Sequence, residues 1–262
     1  MSPEALLEAR DLKIGYPGHT VGDMINLHVS SGEVLCLLGP NGSGKTTLFK
    51  TLLGLIRPHG GDVRIGGKDL ATLSRPELAR SVAYVPQAHS AQFPYTVLDM
   101  VVMGRTAHLG IFAAPSSADR DKAVEALTRL GIRDLANSEY TRISGGQRQL
   151  SLIARALAQA APAIVMDEPT ASLDFGNQVL VLKEVARLAS EGLGIVLSTH
   201  DPDHAFAIAD RVALLSGGEL VASGTPEAVL DQDRLRQVYG VSVDIETLKS
   251  GQKICAPDFS AS

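Results

Sequence analysis

Short apolar runs, broken by glycine, proline and small polar residues, set the rhythm of this chain, and their periods separate strands from helices. Val34 to Leu38 is wholly apolar, as a parallel strand buried on both faces should be, and Leu48, Leu52, Leu53 and Leu55 follow at roughly helical spacing. Ahead of them, Leu6 to Tyr16 and Asp23 to Val29 read as strands suited to antiparallel pairing, interrupted by Gly15, Pro17, Gly18 and Gly22. Asp62 to Ile65 is a small strand between glycine pairs, and Ser74-Arg75-Pro76-Glu77 has the form of a capping box opening a brief helix. Val82 to Val85 is a further strand, stopping at Pro86-Gln87.

Past Gln87 the texture changes. His89 to Thr96 is a polar and aromatic loop, Val97 to Met103 is apolar, and Ala118 to Leu130 is a helix carrying Val124, Leu127 and Leu130 on one face. A longer helix follows Ser144-Gly145-Gly146-Gln147, with Leu150, Ile153 and Leu157 in line. Alternation of strand and helix returns with Ala163 to Met166, a helix through Val179, Leu182, Val185 and Leu188, and Ile195 to Thr199. Asp201-Pro202 suits a cap and first helical residue. Arg211 to Leu215 and Glu219 to Ala222 form a closing hairpin around Ser216-Gly217-Gly218, and Thr225-Pro226 opens a last helical region. Gly240 to Ser262 reads as a tail with little pattern. The expectation is an α/β fold with a parallel sheet, an antiparallel β part and an inserted helical part. It divides as an α/β core over 1–86 and 162–230, a helical subdomain over 87–161 and a tail over 231–262.

At 262 residues, 45% hydrophobic and 20% charged, the composition is that of a globular protein. A net charge of −5 speaks against a nucleic-acid partner, which usually calls for a basic stripe. Cys36 and Cys255 have no motif spacing and suggest a reducing cytosol with no disulfide framework. Met1 to Arg10 lacks an apolar leader, and no run reaches the length of a membrane span. The chain is therefore expected in the cytosol, with any membrane role exercised through a partner.

Chemistry concentrates first at Gly39-Pro40-Asn41-Gly42-Ser43-Gly44-Lys45-Thr46-Thr47, a G-x-x-x-x-G-K-[ST] phosphate-binding loop between an apolar strand and a helix. Its glycines let backbone N–H groups turn inward on a polyanion, the helix start adds its dipole, Lys45 reaches the β and γ phosphates, and the Thr46 hydroxyl ligates Mg²⁺. Strand ends of a parallel sheet face one crevice, which gathers the other candidates. Asp167 follows an apolar strand and is suited to hold Mg²⁺ through water; Glu168 can polarise the attacking water. Alternatively, the pair caps a helix before Pro169. Gln87 offers an amide oxygen to Mg²⁺ or to the water, and His200 an N–H to the γ-phosphate. Tyr16 serves equally as a stacking face for adenine or as plain packing, and Asp174 equally as a site residue or a helix cap.

Ser144-Gly145-Gly146-Gln147 is a second serine-led, glycine-containing helix start in a chain with a single phosphate loop. The economical expectation is a head-to-tail homodimer in which this helix start completes the partner's site, two ATP molecules lying between the subunits.

Taken in order, the phosphate loop, Gln87, Ser144 to Gln147, Asp167-Glu168, Ser172-Leu173-Asp174 and His200 resemble the ABC-type ATPase family over nearly the whole chain. The resemblance implies a P-loop NTPase core and roles position by position. Tyr16 is similar to the adenine-stacking aromatic, Lys45 and Thr46 to the Walker A groups, and Gln87 to the Q-loop. Ile143 to Gln147 resembles the signature motif, with isoleucine where leucine is usual. Asp167 and Glu168 resemble the Walker B aspartate and catalytic glutamate, Asp174 the D-loop and His200 the switch histidine. Tyr95 to Arg105, Asp174 to Gln178 and His200 to His204 are similar to importers for iron-siderophores, haem and cobalamin, a group that includes molybdate and tungstate importers. That implies a peripheral protein on the cytoplasmic face of the cell membrane, touching a dimeric permease through the 87–110 region and serving an extracytoplasmic solute-binding protein indirectly. A soluble ATPase of iron–sulfur cluster assembly is the alternative from another class, and the Thr96 to Arg105 segment weighs against it.

Overall fold

The computed structural model describes residues 5–87, 94–110 and 113–258, so residues 89–93 of the expected polar loop lie outside the described residues. The chain opens with β1 (Ala5–Tyr16) and β2 (His19–Ser30), an antiparallel pair, then β3 (Val34–Leu38) and α1 (Lys45–Leu52). Next come β4 (Gly60–Ile65), β5 (Lys68–Asp69), α2 (Arg75–Ser81) and β6 (Val82–Val85). The helices α3 (Val97–Val102), α4 (Ser117–Arg129) and α5 (Gly145–Ala158) fall between β6 and β7 (Ala163–Met166). The rest is α6 (Phe175–Ser190), β8 (Gly194–Thr199), α7 (Pro202–Ile208), β9 (Arg211–Ser216), β10 (Glu219–Gly224), α8 (Pro226–Val229), α9 (Gln232–Tyr239), β11 (Val243–Thr247) and β12 (Lys253–Pro257).

A six-stranded sheet of order β10-β9-β3-β8-β7-β6 carries the fold, with β3 parallel to both β8 and β9 and β7 parallel to both β6 and β8. A four-stranded antiparallel sheet, β2-β1-β4-β5, covers one face. Because side chains alternate along a strand, the central sheet feeds two cores. Leu35, Leu37, Val165 and Val196 pack with Phe49 of α1 and with the antiparallel sheet. Cys36, Leu38, Ile164, Met166 and Leu197 pack on the opposite face with Val185 of α6. Leu127 of α4 and Ile153 of α5 belong to that same second core, so the inserted helices are continuous with the sheet.

The helix starts follow their local chemistry. Ser74, Ser116 and Ser144 each cap a helix through a reciprocal box with the third helical residue. Two expectations change. Gly22 lies inside β2 rather than breaking it, because the β9–β10 turn crosses there and a Cβ would stand 2.5 Å from the Gly218 carbonyl oxygen. The tail from Gly240 is also ordered: β11 and β12 pair antiparallel, with Val243 and Ile245 partly buried against the second core while Asp244 and Glu246 face outward. That alternation is too short to stand out from the sequence.

A shared core predicts joint unfolding. Leu127→Ala, at a fully buried position, should cost about 2–5 kcal/mol, and urea titration followed by two probes, one in the helices and one on the sheet, should give a single shifted transition. A separate helical transition would show that the two parts fold independently.

Candidate functional site

The loop between β3 and α1 is built by close approach. A Cβ at Gly39 would lie 2.2 Å from the Leu215 carbonyl oxygen, and Gly42 and Gly44 hold φ of 82° and 105°, where a side chain is strained. Val21 and Ile14 press against Gly44, which brings the β1–β2 end over the loop; Tyr16, two residues beyond Ile14, is 41% exposed at that end. Ser43 Oγ is buried in the loop with no hydrogen-bond partner among the described residues. An orphaned hydroxyl beside the unsatisfied N–H groups of a helix's first turn fits a bound phosphate oxygen.

Lys45 is only 5% exposed. Its Nζ donates to the carbonyls of Gly39 at 2.7 Å and Pro40 at 3.0 Å and stands 3.8 Å from Glu168 Oε1. Burial pulls the Lys45 pKa below its ordinary value, and the nearby Glu168 and Asp167 carboxylates oppose that pull. Thr46 Oγ1 donates to Asp167 Oδ2 at 3.1 Å. Two hard oxygen donors on one point fit Mg²⁺, which binds few protein ligands and keeps several waters.

A residue that sequence reasoning passed over holds this centre together. Ser198, fully buried near the end of β8, donates from Oγ to Asp167 Oδ1 at 2.7 Å and accepts from the Glu168 N–H at 2.9 Å. Glu168 is in the left-handed region, φ 45°, so the hydroxyl pins a strained peptide. The available signal was a serine and a threonine closing an otherwise apolar strand. Glu168 Oε2 faces His200 Nδ1 at 3.5 Å. Gln87 sits two residues past β6, whose Val85 carbonyl accepts from the Asp167 N–H at 2.9 Å; its side chain is exposed, and no hydrogen bond ties it to Asp167 or Glu168 among the described residues. The loop, Thr46, Asp167, Glu168 and His200 therefore converge, while Gln87 and Tyr16 border them.

Ser144, Gly145, Gly146 and Gln147 form a different cluster. Ser144 Oγ accepts from the Gln147 N–H at 3.2 Å. Gly146 abuts α6, where a Cβ would lie 2.1 Å from Asn177 Oδ1. Asp174 caps α6, accepting from the Asn177 N–H at 2.9 Å and from Asn177 Nδ2 at 2.8 Å. Asp174 thus acts as a cap and shares a neighbour with the 144–147 helix start. No hydrogen bond or ion pair links these residues to the phosphate loop among the described residues.

Comparison with known proteins agrees with this arrangement. The ABC transporter family profile matches residues 23–171. An uncharacterized ABC transporter ATP-binding protein of Haemophilus influenzae is 45% identical over 240 residues, 92% of this chain and 91% of the relative. The hemin import ATP-binding protein of Streptomyces coelicolor is 40% identical over 92% of this chain and 86% of its own length. Among solved structures, a chain described as part of a metal-chelate type ABC transporter in an inward-facing conformation superposes with a TM-score of 0.86 at 34% identity, covering 97% of this chain and 98% of that one.

Removing the bridging hydroxyl should be costly. Ser198→Ala leaves the buried Asp167 carboxylate one donor short and the Glu168 N–H without its acceptor, a loss of about 1–3 kcal/mol in chemical denaturation. An unchanged midpoint would show that the bridge carries no weight in the fold.

Proposed function

This chain belongs to the ABC transporter ATP-binding family, and we propose that it is the ATP-hydrolysing subunit of an importer for a metal chelate of the iron-siderophore, haem or cobalamin kind. The observation that carries the ATPase reading is the convergence of Lys45, Thr46, Asp167, Glu168 and His200 at the C-terminal ends of β3, β7 and β8, interior strands of the central sheet.

ATP enters with its phosphates against residues 39–47 and its adenine beside Tyr16. Lys45 exchanges the Gly39 and Pro40 carbonyls for phosphate oxygens, so its buried ammonium is neutralised by substrate instead of by the loop. Thr46, Asp167 and Gln87 would hold Mg²⁺, which when bound supplies charge neutralisation at the β and γ phosphates. Glu168 orients a water for in-line attack on the γ-phosphorus and takes its proton; the bond to the β-γ bridging oxygen breaks, releasing ADP and phosphate. His200 presents an imidazole to Glu168 and to the γ-phosphate.

The second cluster explains the expected assembly. Ser144, Gly145, Gly146, Gln147 and Asp174 make no hydrogen bond or ion pair to this chain's own phosphate loop among the described residues, which suits a role in completing a partner's site in a head-to-tail homodimer. ATP then bridges the subunits and favours the closed pair by its greater affinity for it, and hydrolysis removes the bridge. Among the described residues no helix is long and apolar enough to cross a membrane; in this reading the channel is a separate permease. The contact lies in the 87–110 region, whose described part exposes Tyr95 and Met103. The subunit works at the cytoplasmic face of the cell membrane, and an external binding protein delivers solute to the permease.

Glu168→Gln should lower kcat for ATP hydrolysis by about 10²–10⁴-fold while leaving ATP binding intact; parent-like turnover would remove Glu168 from its role. Lys45→Ala should instead weaken ATP binding itself by about ten- to a hundredfold, read by titration of a fluorescent nucleotide. For the partner, tagged chain purified from detergent-solubilised membranes should bring down a polytopic membrane protein in stoichiometric amount. Recovery of soluble proteins alone would overturn the importer reading and favour a cluster-assembly ATPase.

A further inference from the structure

The C-terminal hairpin is tied to the helix that follows His200. β12 packs against α7, and the Cys255 N–H donates to Asp203 Oδ1 at 2.7 Å. Asp203 lies in the first turn of α7, and its own N–H donates at 2.9 Å to Oδ1 of Asp201, the residue that caps the helix. Hairpin, first turn and cap therefore form one run of hydrogen bonds ending a single residue from His200. Burial raises the Asp203 carboxyl above its ordinary value, so this acceptor is held inside the protein at a cost that its bond to Cys255 offsets.

A shared cavity makes the same connection. A cavity of about 240 Å³ lies between the hairpin, α9 and the start of α7, lined by His200, Pro202, Tyr239, Val243, Cys255 and Pro257 among others. His200 thus shares the lining of this cavity with hairpin residues, and its imidazole stands 3.5 Å from Glu168. A seven-residue helix such as α7 is too short to hold its own first turn and depends on tertiary contacts for its direction.

We infer that the 243–257 hairpin is a positioning element of the ATPase site: through the Asp203–Cys255 hydrogen bond it anchors the first turn of α7 and so fixes how His200 presents its imidazole to Glu168. The inference rests on the role proposed above for His200. Asp203 touches neither nucleotide nor Glu168 in this scheme and acts only through His200. The hairpin is chemically inert; its contribution is geometric.

Three variants of the full chain test it. Asp203→Ala removes the acceptor, Cys255→Pro removes the donor at a strand position whose N–H faces away from β11, and Asp203→Asn removes the charge while keeping an oxygen that accepts the bond. The first two should lower kcat by about tenfold or more with KM unchanged, as a displaced group near the chemistry does, whereas Asp203→Asn should stay close to the parent. In nucleotide-free protein, the His200 ring nitrogen signals in ¹⁵N NMR should move in Asp203→Ala and return in Asp203→Asn. Parent-like kcat and His200 signals in Asp203→Ala would overturn the inference, as would an Asp203→Asn variant as impaired as Asp203→Ala, since charge and not the bond would then matter. If the parent itself hydrolysed no ATP, the functional reading would fall, and the His200 signals would still decide whether the hairpin positions that ring.

Discussion

Lys45 and Asp167 are both nearly buried, and an ionised group out of water must be met by partners or it destabilises the fold. That constraint organises the C-terminal ends of the central strands. Asp167 is answered by the hydroxyls of Thr46 and Ser198, and Lys45 by the carbonyls of its own loop and, at longer range, by Glu168. The partners arrive from β3, α1, β7 and β8, whose parallel register brings their ends to one level: Leu37 pairs with Ser198, and Met166 with Leu197. The sheet is thus more than a scaffold. Its register supplies the dipoles that let two opposite charges sit inside the protein without collapsing onto one another.

The same arrangement leaves some capacity unused. The Ser43 hydroxyl has no partner, and Glu168 holds a left-handed backbone that a residue with a Cβ adopts only under constraint. Ser172, three residues before α6 begins, is also left-handed at φ 61°. At Ser43, Glu168 and Ser172, unspent hydrogen-bonding capacity and backbone strain fall in segments proposed to meet nucleotide or partner. A polyanion entering the loop would satisfy the orphan hydroxyl and take over Lys45, so binding is favoured by polar groups already desolvated when the chain folds.

What was legible in the sequence is what is local. The phosphate loop, the capped helix at Ser144 and the acidic pair after an apolar strand are contiguous signals, each with a strand or helix in the expected place. Ser198 was passed over because its importance comes from β8 lying between β3 and β7, a pairing across more than thirty residues of chain that periodicity does not report. Gly22 misled for a related reason: glycine signals a turn in sequence, yet here it admits a distant carbonyl. The hairpin at the end of the chain has strands too short for their alternation to rise above background.

The contact between Gly146 and Asn177 bears on how the proposed pair of subunits would close. Gly146 admits the Asn177 side chain where any Cβ would collide, and Asn177 in turn binds the Asp174 carboxylate that caps α6. The two elements offered to a partner, the start of α5 and the start of α6, are therefore locked to each other. Both also run into the core that holds the central sheet, through Ile153 on one helix and Val185 on the other. A packed interior responds to force by moving as a unit and not by shearing at each contact. In the proposed pair, closure onto ATP would then be a movement of one subunit against the other, and the helical part would carry it toward a permease because it shares its core with the strands that hold the phosphate loop.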